Sequence, residues 1–182
     1  METTKNEMTE YAKHFFNKLS NYLDTKLYFY GSIQRNDYFP NLSDIDVDIF
    51  TDNMNSTISK LQHFLNVSRD DFIKFVYKLH KTDKVVFGYK IKYKDLEKKF
   101  IAEISIYDEK YKDNVLLEHN SKSILPFYVS YMLIILKYFY YNLNIIPKEY
   151  YKYYKSIVMN YMVEGIDVEF IILGIPKDKS DE

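Results

Sequence analysis

The chain has 182 residues, a formal net charge of −1 and no cysteine. Its length suits one domain of ordinary size, or a compact core with a helical appendage. A charge so close to zero argues against a broadly basic surface, so long duplex DNA is not an expected partner. The lack of cysteine excludes disulfides, zinc–thiolate sites and a thiol nucleophile, and it fits a reducing, cytoplasmic setting.

The first predicted elements are a helix and a short strand. The chain begins with the polar stretch METTKNEMTE, so no signal peptide is expected. Thr4 with Glu7 predicts a capping box, and apolar residues at helical spacing continue to about Leu23. Residues 27–30, LYFY, then predict a buried strand.

The most informative segment follows that strand and reads GSIQRNDYFPNLSDIDVDIF. Gly31 allows the backbone to approach a ligand closely, and the residues after it predict a short helix whose amides face phosphate oxygens. In the strand predicted over residues 44–50, alternation places Asp44 and Asp46 on one face and apolar residues on the other. Two carboxylates placed in this way are typical ligands of Mg²⁺.

Further along the chain, a helix and a hairpin are predicted. Ser68 with Asp71 predicts the start of a second helix, because an apolar stripe at helical spacing follows to residue 79. Residues 85–93 and 99–107 alternate as strands on either side of a turn, which predicts an antiparallel hairpin.

A third carboxylate lies in the second hairpin strand. Glu103 is the only acidic residue within residues 99–107, and it faces away from the apolar side chains of that strand. If the strand pairs beside the aspartate-rich one, three carboxylates converge, as a two-metal phosphoryl-transfer site needs. Two alternatives stay open: Glu103 is simply an exposed strand residue, or the aspartate pair is Asp46 with Asp48.

The last part of the chain predicts two helices, over Pro126–Leu143 and Pro147–Met162, with the second ending near Gly165. Residues 168–175 are compatible with a strand or a helical turn. The first helix is long and apolar enough to cross a bilayer. Lys137 at its centre favours a core-packing helix instead, so no membrane partner is expected.

These elements predict an α+β fold. A small mixed or antiparallel sheet carries the carboxylates and is flanked by helices, with a helical region at the C-terminal end. The expected division is a catalytic core over residues 1–110 and a helical region over residues 111–182 packed on it. The four histidines are scattered without ligand spacing, and we expect them to be structural or solvated.

The Gly-Ser turn, the Ser-Asp-Ile-Asp run and the later lone strand carboxylate resemble the nucleotidyltransferase superfamily. This superfamily includes DNA polymerase beta, poly(A) polymerases and antibiotic nucleotidyltransferases, and the resemblance covers about residues 25 to 107. It implies that Asp44 and Asp46 hold two metal ions, Mg²⁺ or Mn²⁺. It also implies that Glu103 binds the catalytic metal and helps to activate the attacking hydroxyl.

The resemblance extends to the phosphate-binding residues. It implies that Gly31 and Ser32 cradle the triphosphate. Arg35 adds a planar fork of donors suited to phosphate, although it is equally compatible with an ordinary loop arginine. Lys137 resembles the lysine that poly(A) polymerases project toward the nucleotide phosphates, and a surface lysine is the alternative. Asn36 departs from the glycine that many members have there, as Glu103 departs from their usual aspartate.

The sequence thus predicts a Mg²⁺-dependent enzyme that transfers a nucleoside monophosphate from a nucleoside triphosphate to an acceptor hydroxyl and releases pyrophosphate. The acceptor stays open between a small molecule, a protein side chain and a single-stranded nucleic-acid end. Two alternatives are a minimal template-independent polymerase of nucleic-acid 3′ ends and an inactive binding or assembly module with the same fold.

Overall fold

The protein is described here by a computed structural model that covers residues 3–162 and 170–172. The strands are β1 Tyr28–Tyr30, β2 Ile45–Thr51, β3 Ile73–Leu79, β4 Lys84–Asp95, β5 Phe100–Asp108 and β6 Phe170–Ile172. The helices are α1 Glu10–Leu23, α2 Met54–Leu65, α3 Lys112–Ser123, α4 Phe127–Tyr141 and α5 Lys148–Met162.

The described strands form one mixed sheet in the order β1-β2-β5-β4-β3-β6. The β2–β5 pair is parallel, whereas the other four pairings are antiparallel. The predicted α+β fold with a small mixed sheet is therefore confirmed, and so is the predicted β4–β5 hairpin. Because β5 lies between β2 and β4, the strand with the lone glutamate runs directly beside the strand with the aspartates.

The alternation in β2 sorts its side chains between two cores. Val47 and Ile49 pack with Phe16 and Leu19 of α1 in the larger core, which α2 also covers. The opposite face of the sheet carries a smaller core around Phe75, Tyr107 and Val115. The β2 carboxylates lie on this second face. The predicted separation of apolar and acidic faces is thus confirmed.

Two predictions about helix starts are wrong. The first helix begins after Thr9, whose hydroxyl accepts a hydrogen bond from the Ala12 amide, and not after Thr4. The capping box of Ser68 and Asp71 exists, but it closes a single 3₁₀ turn over Arg69–Asp71.

The segment after that turn is strand β3, not the predicted helix. Phe75, Tyr77 and Leu79 are buried alternately with half-buried or exposed residues. Such a short apolar run fits both the helical and the strand periodicity, and pairing with β4 makes it a strand. The helices α2 and α3, which lie outside the predicted elements, cover the sheet on either side of it.

The two predicted C-terminal helices are present as α4 and α5, which pack against each other around Val129, Leu133 and Val158. No single helix among residues 3–162 is long and apolar enough to cross a membrane, although the bent pair Glu109–Ser123 and Phe127–Tyr141 meets that test jointly. The predicted end near Gly165 lies outside the described residues. Of residues 168–175, only 170–172 are described, and they form β6.

Candidate functional site

The register of the parallel pair brings the predicted carboxylates together. Asp46 of β2 lies directly opposite Glu103 of β5, and Asp44 precedes β2 by one residue. Asp46 is half-buried and Asp44 is about one-third exposed. The sequence could predict the face of each carboxylate from alternation, whereas the register that sets them side by side comes from the sheet.

Both the backbone conformation and the surroundings of position 31 require a glycine. Its φ of +71° lies in the left-handed region, and a Cβ atom there would be 2.1 Å from Asp46 Oδ2. The group that approaches this glycine in the structure is therefore the Asp46 carboxylate. Ser32 follows in a four-residue 3₁₀ turn, Gly31–Gln34, and is buried beside the same carboxylate-bearing strand.

Two lysines of β4 form ion pairs with Asp44 and Glu103. Lys92 forms an ion pair with Asp44, and Lys90 Nζ lies 3.3 Å from Glu103 Oε1. Among the described residues, none donates a hydrogen bond to the Asp46 carboxylate. Burial and then the nearby Glu103 raise the pKa of Asp46 to about 7. The Asp46 carboxylate therefore has no ion-pair partner among the described residues.

The donor set fits a hard divalent cation in kind. Asp44, Asp46 and Glu103 supply carboxylate oxygens, the ligands that Mg²⁺ and Mn²⁺ prefer, and a cation would relieve the charge at Asp46. As the side chains stand, however, no three acidic or histidine side chains within residues 3–162 and 170–172 are grouped to hold a metal ion. Because Lys90 contacts Glu103 Oε1 and Lys92 contacts Asp44 Oδ2, a cation held by all three carboxylates would compete with these two lysines.

A buried ionic cluster lies beside the Gly-Ser turn. Arg35 Nε donates to Asp37 Oδ1 at 2.8 Å, and Lys137 Nζ lies 2.9 Å from Asp37 Oδ2. The Lys137 amine also donates to the Asp37 carbonyl at 2.5 Å. Burial alone would raise the pKa of Asp37, but the two cations outweigh it and hold the pKa at about 2. Asp37 is a site residue that sequence reasoning missed.

One cleft of about 510 Å³ collects all the predicted site residues. Its lining includes Gly31, Ser32, Arg35, Asp44, Asp46, Glu103 and Lys137. Lys137 therefore lies in the wall of the predicted cleft, with its amine held by Asp37. Which of these side chains bind metal or nucleotide stays a prediction.

The helix α5 adds a cationic wall that the sequence reasoning missed. Lys148, Lys152 and Lys155 line the cleft, and the charge of Lys155 acts to lower the pKa of Asp46. No ion pair joins these three lysines to an acidic side chain in the part of the chain that the structure describes. Their spacing of i, i+4 and i+7 was a signal for a shared helix face, available without the structure.

The third aspartate of β2 has a different partner. Asp48 is fully buried, and its Oδ2 lies 3.0 Å from His119 Nε2, although the two groups are not aligned for a hydrogen bond. The His119 ring stacks on Tyr30 with centroids 3.9 Å apart. Helix α3 thus carries His119 against the acidic face of the sheet, a position compatible with the expectation of structural or solvated histidines.

Comparison with known families identifies one match. A family model described as "Nucleotidyltransferase domain" matches residues 10–163, which include every predicted site residue. No curated protein matches the sequence.

Proposed function

We propose that this chain, which belongs to the nucleotidyltransferase domain family, transfers a nucleoside monophosphate from a nucleoside triphosphate to an acceptor hydroxyl in a Mg²⁺- or Mn²⁺-dependent reaction. The observation that carries the proposal is the β2–β5 register. It sets Asp46 beside Glu103, next to a glycine turn and a wall of lysines in one cleft.

In this reaction the acceptor oxygen forms a bond to the α-phosphorus, and the bond from that phosphorus to the bridging oxygen breaks. Pyrophosphate leaves with the bonding electron pair. The acceptor proton passes to the Glu103 carboxylate and then to water. A divalent cation held by Asp44, Asp46 and Glu103 would supply charge neutralisation at the phosphates. The remaining contribution of the protein is positioning.

The phosphates would lie between the Gly-Ser turn and α5. The Ser32 hydroxyl and the ammonium groups of Lys152 and Lys155 offer donors on opposite walls of the cleft. Arg35 and Lys137 also line the cleft, but both are buried and each is tied to Asp37. We therefore assign these two a supporting role, in which they hold the turn through Asp37 and extend positive charge to the cleft.

The test uses each α-labelled nucleoside triphosphate with Mg²⁺ and separate pools of small hydroxyl compounds, proteins and single-stranded RNA ends. We expect labelled product in one pool, with pyrophosphate released in equal amount. Asp46→Asn should bind triphosphate weakly and give no product. Product formation that is undiminished in excess chelator, or by Asp46→Asn, would overturn the proposal.

A second candidate function, a nucleotide-binding or assembly module without turnover, is favoured by one observation. Lys90 and Lys92 already engage two of the three carboxylates, as internal cations do in sites that need no metal. Such a module should bind triphosphate equally with Mg²⁺ and with chelator and release no pyrophosphate. The enzyme should show Mg²⁺-dependent binding.

A further inference from the structure

A second cavity adjoins the cleft on the far side of Glu103. It has a volume of about 280 Å³ and is walled by Tyr30, Tyr77, Tyr107 and His119. We call it the aromatic pocket. Both cavities reach Glu103, as well as Gly31 and Arg35, so a group placed in the aromatic pocket lies next to the carboxylate site.

The aromatic pocket has four aromatic side chains in its walls, together with the charged side chains of Arg35, Lys90, Glu103 and Lys122. The rings of Tyr30 and His119 are nearly parallel, with an interplanar angle of 18°, and the ring of Tyr77 lies at 21° to that of His119. Burial, followed by nearby carboxylates and phenols, raises the pKa of Tyr30 and of Tyr107 well above the ordinary value. These phenols therefore stay protonated at neutral pH and present rings and hydroxyl groups.

The cations at the rim of this pocket are already balanced. Lys122 Nζ lies 2.8 Å from Glu118 Oε1, and Lys90 Nζ lies 3.3 Å from Glu103 Oε1. Arg35 is paired with Asp37. The cleft differs, because the lysines of α5 add positive charge there. A charged ligand would thus lose its hydrating water in the aromatic pocket without gaining an opposite charge there. A neutral ring would not pay this desolvation cost.

The volume of the aromatic pocket sets the size of what it holds. At ~30 Å³ per water, the space equals about nine water molecules. This space accommodates one substituted ring system. The rings of Tyr30 and His119 stack on each other, so a ligand meets the aromatic walls chiefly through edge contacts. Such contacts favour a flat ring, since they add to the burial of apolar area.

We propose that the aromatic pocket is the acceptor site, and that the acceptor is a small neutral compound with a flat ring and a hydroxyl group. This inference rests on the proposed function, because Glu103 is shared by both cavities and would receive the acceptor proton. The acceptor oxygen bonds to the α-phosphorus, and pyrophosphate leaves with the electron pair of the broken bond. The ring stays in the aromatic pocket while the triphosphate occupies the cleft.

The test compares four probes by ligand-observed NMR on the wild-type chain. Tyrosol, tyramine and 4-hydroxyphenylacetate share a hydroxyphenyl ring and are neutral, cationic and anionic, and glycerol is neutral without a ring. We expect tyrosol to bind about tenfold more tightly than either charged analogue, and glycerol to show no binding. Tyrosol should also bind together with a non-hydrolysable triphosphate and Mg²⁺ without competition.

A matched pair of variants locates the binding. Tyr77→Phe keeps the ring and should retain tyrosol binding within about twofold, whereas Tyr77→Leu should weaken it about fivefold or more. Triphosphate binding should change in neither variant, and circular dichroism checks their folding. If Tyr77→Leu does not fold, the comparison of tyrosol with its two charged analogues on the wild-type chain still tests the proposal.

Equal binding of the neutral and charged probes, or competition between tyrosol and triphosphate, would overturn the acceptor pocket. Failure of the proposed function has a different result. Tyrosol would then bind with the predicted preference, while triphosphate binding would be absent or independent of Mg²⁺.

Discussion

The Asp46→Asn variant should be more stable than the wild type when divalent metal is removed. Asp46 is half-buried beside Glu103, and desolvation followed by the Glu103 charge raises its pKa from 3.8 to about 7. A carboxyl group with a folded pKa above its unfolded value opposes folding as pH rises between the two values, and the full penalty applies above the folded pKa. A rise of about three pKa units corresponds to a destabilisation of the folded wild type of about 4 kcal/mol. Relaxation of the site reduces this penalty, so we expect Asp46→Asn to raise the free energy of unfolding by about 1–3 kcal/mol at about pH 8.

The measurement is urea unfolding of both proteins in chelator at several pH values. At about pH 4, the difference should shrink to about 0.5 kcal/mol or less, because Asp46 is then protonated in the folded protein. Excess Mg²⁺ should raise the unfolding midpoint of the wild type and leave that of the variant unchanged, since only the wild type has the complete carboxylate set.

Asp44→Asn is the matched control. Asp44 is partly exposed and already paired with Lys92, so its removal should give no stabilisation in chelator. Equal stability of the wild type and Asp46→Asn at about pH 8, or an equal gain for Asp44→Asn, would refute the reasoning that uncompensated charge accumulates at Asp46.

Three further predictions concern the surroundings of that carboxylate. Gly31→Ala should cost at least ~1–2 kcal/mol in urea unfolding and lower pyrophosphate release, because its Cβ would meet the Asp46 carboxylate 2.1 Å away at a left-handed φ. Unchanged stability would contradict this. Asp37→Ala should destabilise the protein by about 3–5 kcal/mol, since it leaves two buried cations without an acid, and a wild-type unfolding midpoint would count against that account. Lys155→Met should weaken triphosphate binding about three- to tenfold at low salt and monophosphate binding less, whereas Lys18→Met on α1 should change neither. Equal effects of the two lysine variants in titration calorimetry would exclude a specific role for α5.

Local patterns predicted the parts of the fold in which the two faces of an element differ chemically. In β2, Val47 and Ile49 face the α1 core, while the acidic residues face the opposite side, so alternation identified the strand and its faces. The same argument isolated Glu103 in β5. The helix prediction for residues 73–79 was wrong, because a short apolar run fits both the helical and the strand periodicity. Only pairing with a neighbouring strand distinguishes the two.

The contacts that balance charge in the site could not be predicted in this way. Lys90 and Lys92 meet the carboxylates because β4 pairs with β5, which is a property of the sheet order. Asp37 acquires one of its two cationic partners, Lys137, from a helix far along the chain. Lys155 was accessible through its spacing on α5, but its approach to Asp46 depends on how that helix lies across the cleft.

The central position of β5 also has a consequence for the order of folding. The strands β1 and β2 pair with each other early in the sequence, and β3 and β4 form the next hairpin. Neither pair touches the other until β5 inserts between β2 and β4 and hydrogen-bonds to both. During synthesis, the chain up to β4 therefore carries open edges on β2 and β4 that β5 later covers, and these edges are sites for mispairing. Insertion of β5 pairs Ile45 with Ala102 and so joins strands far apart in the sequence, which slows folding. We therefore expect substitutions in β5 to slow refolding more than those in α2.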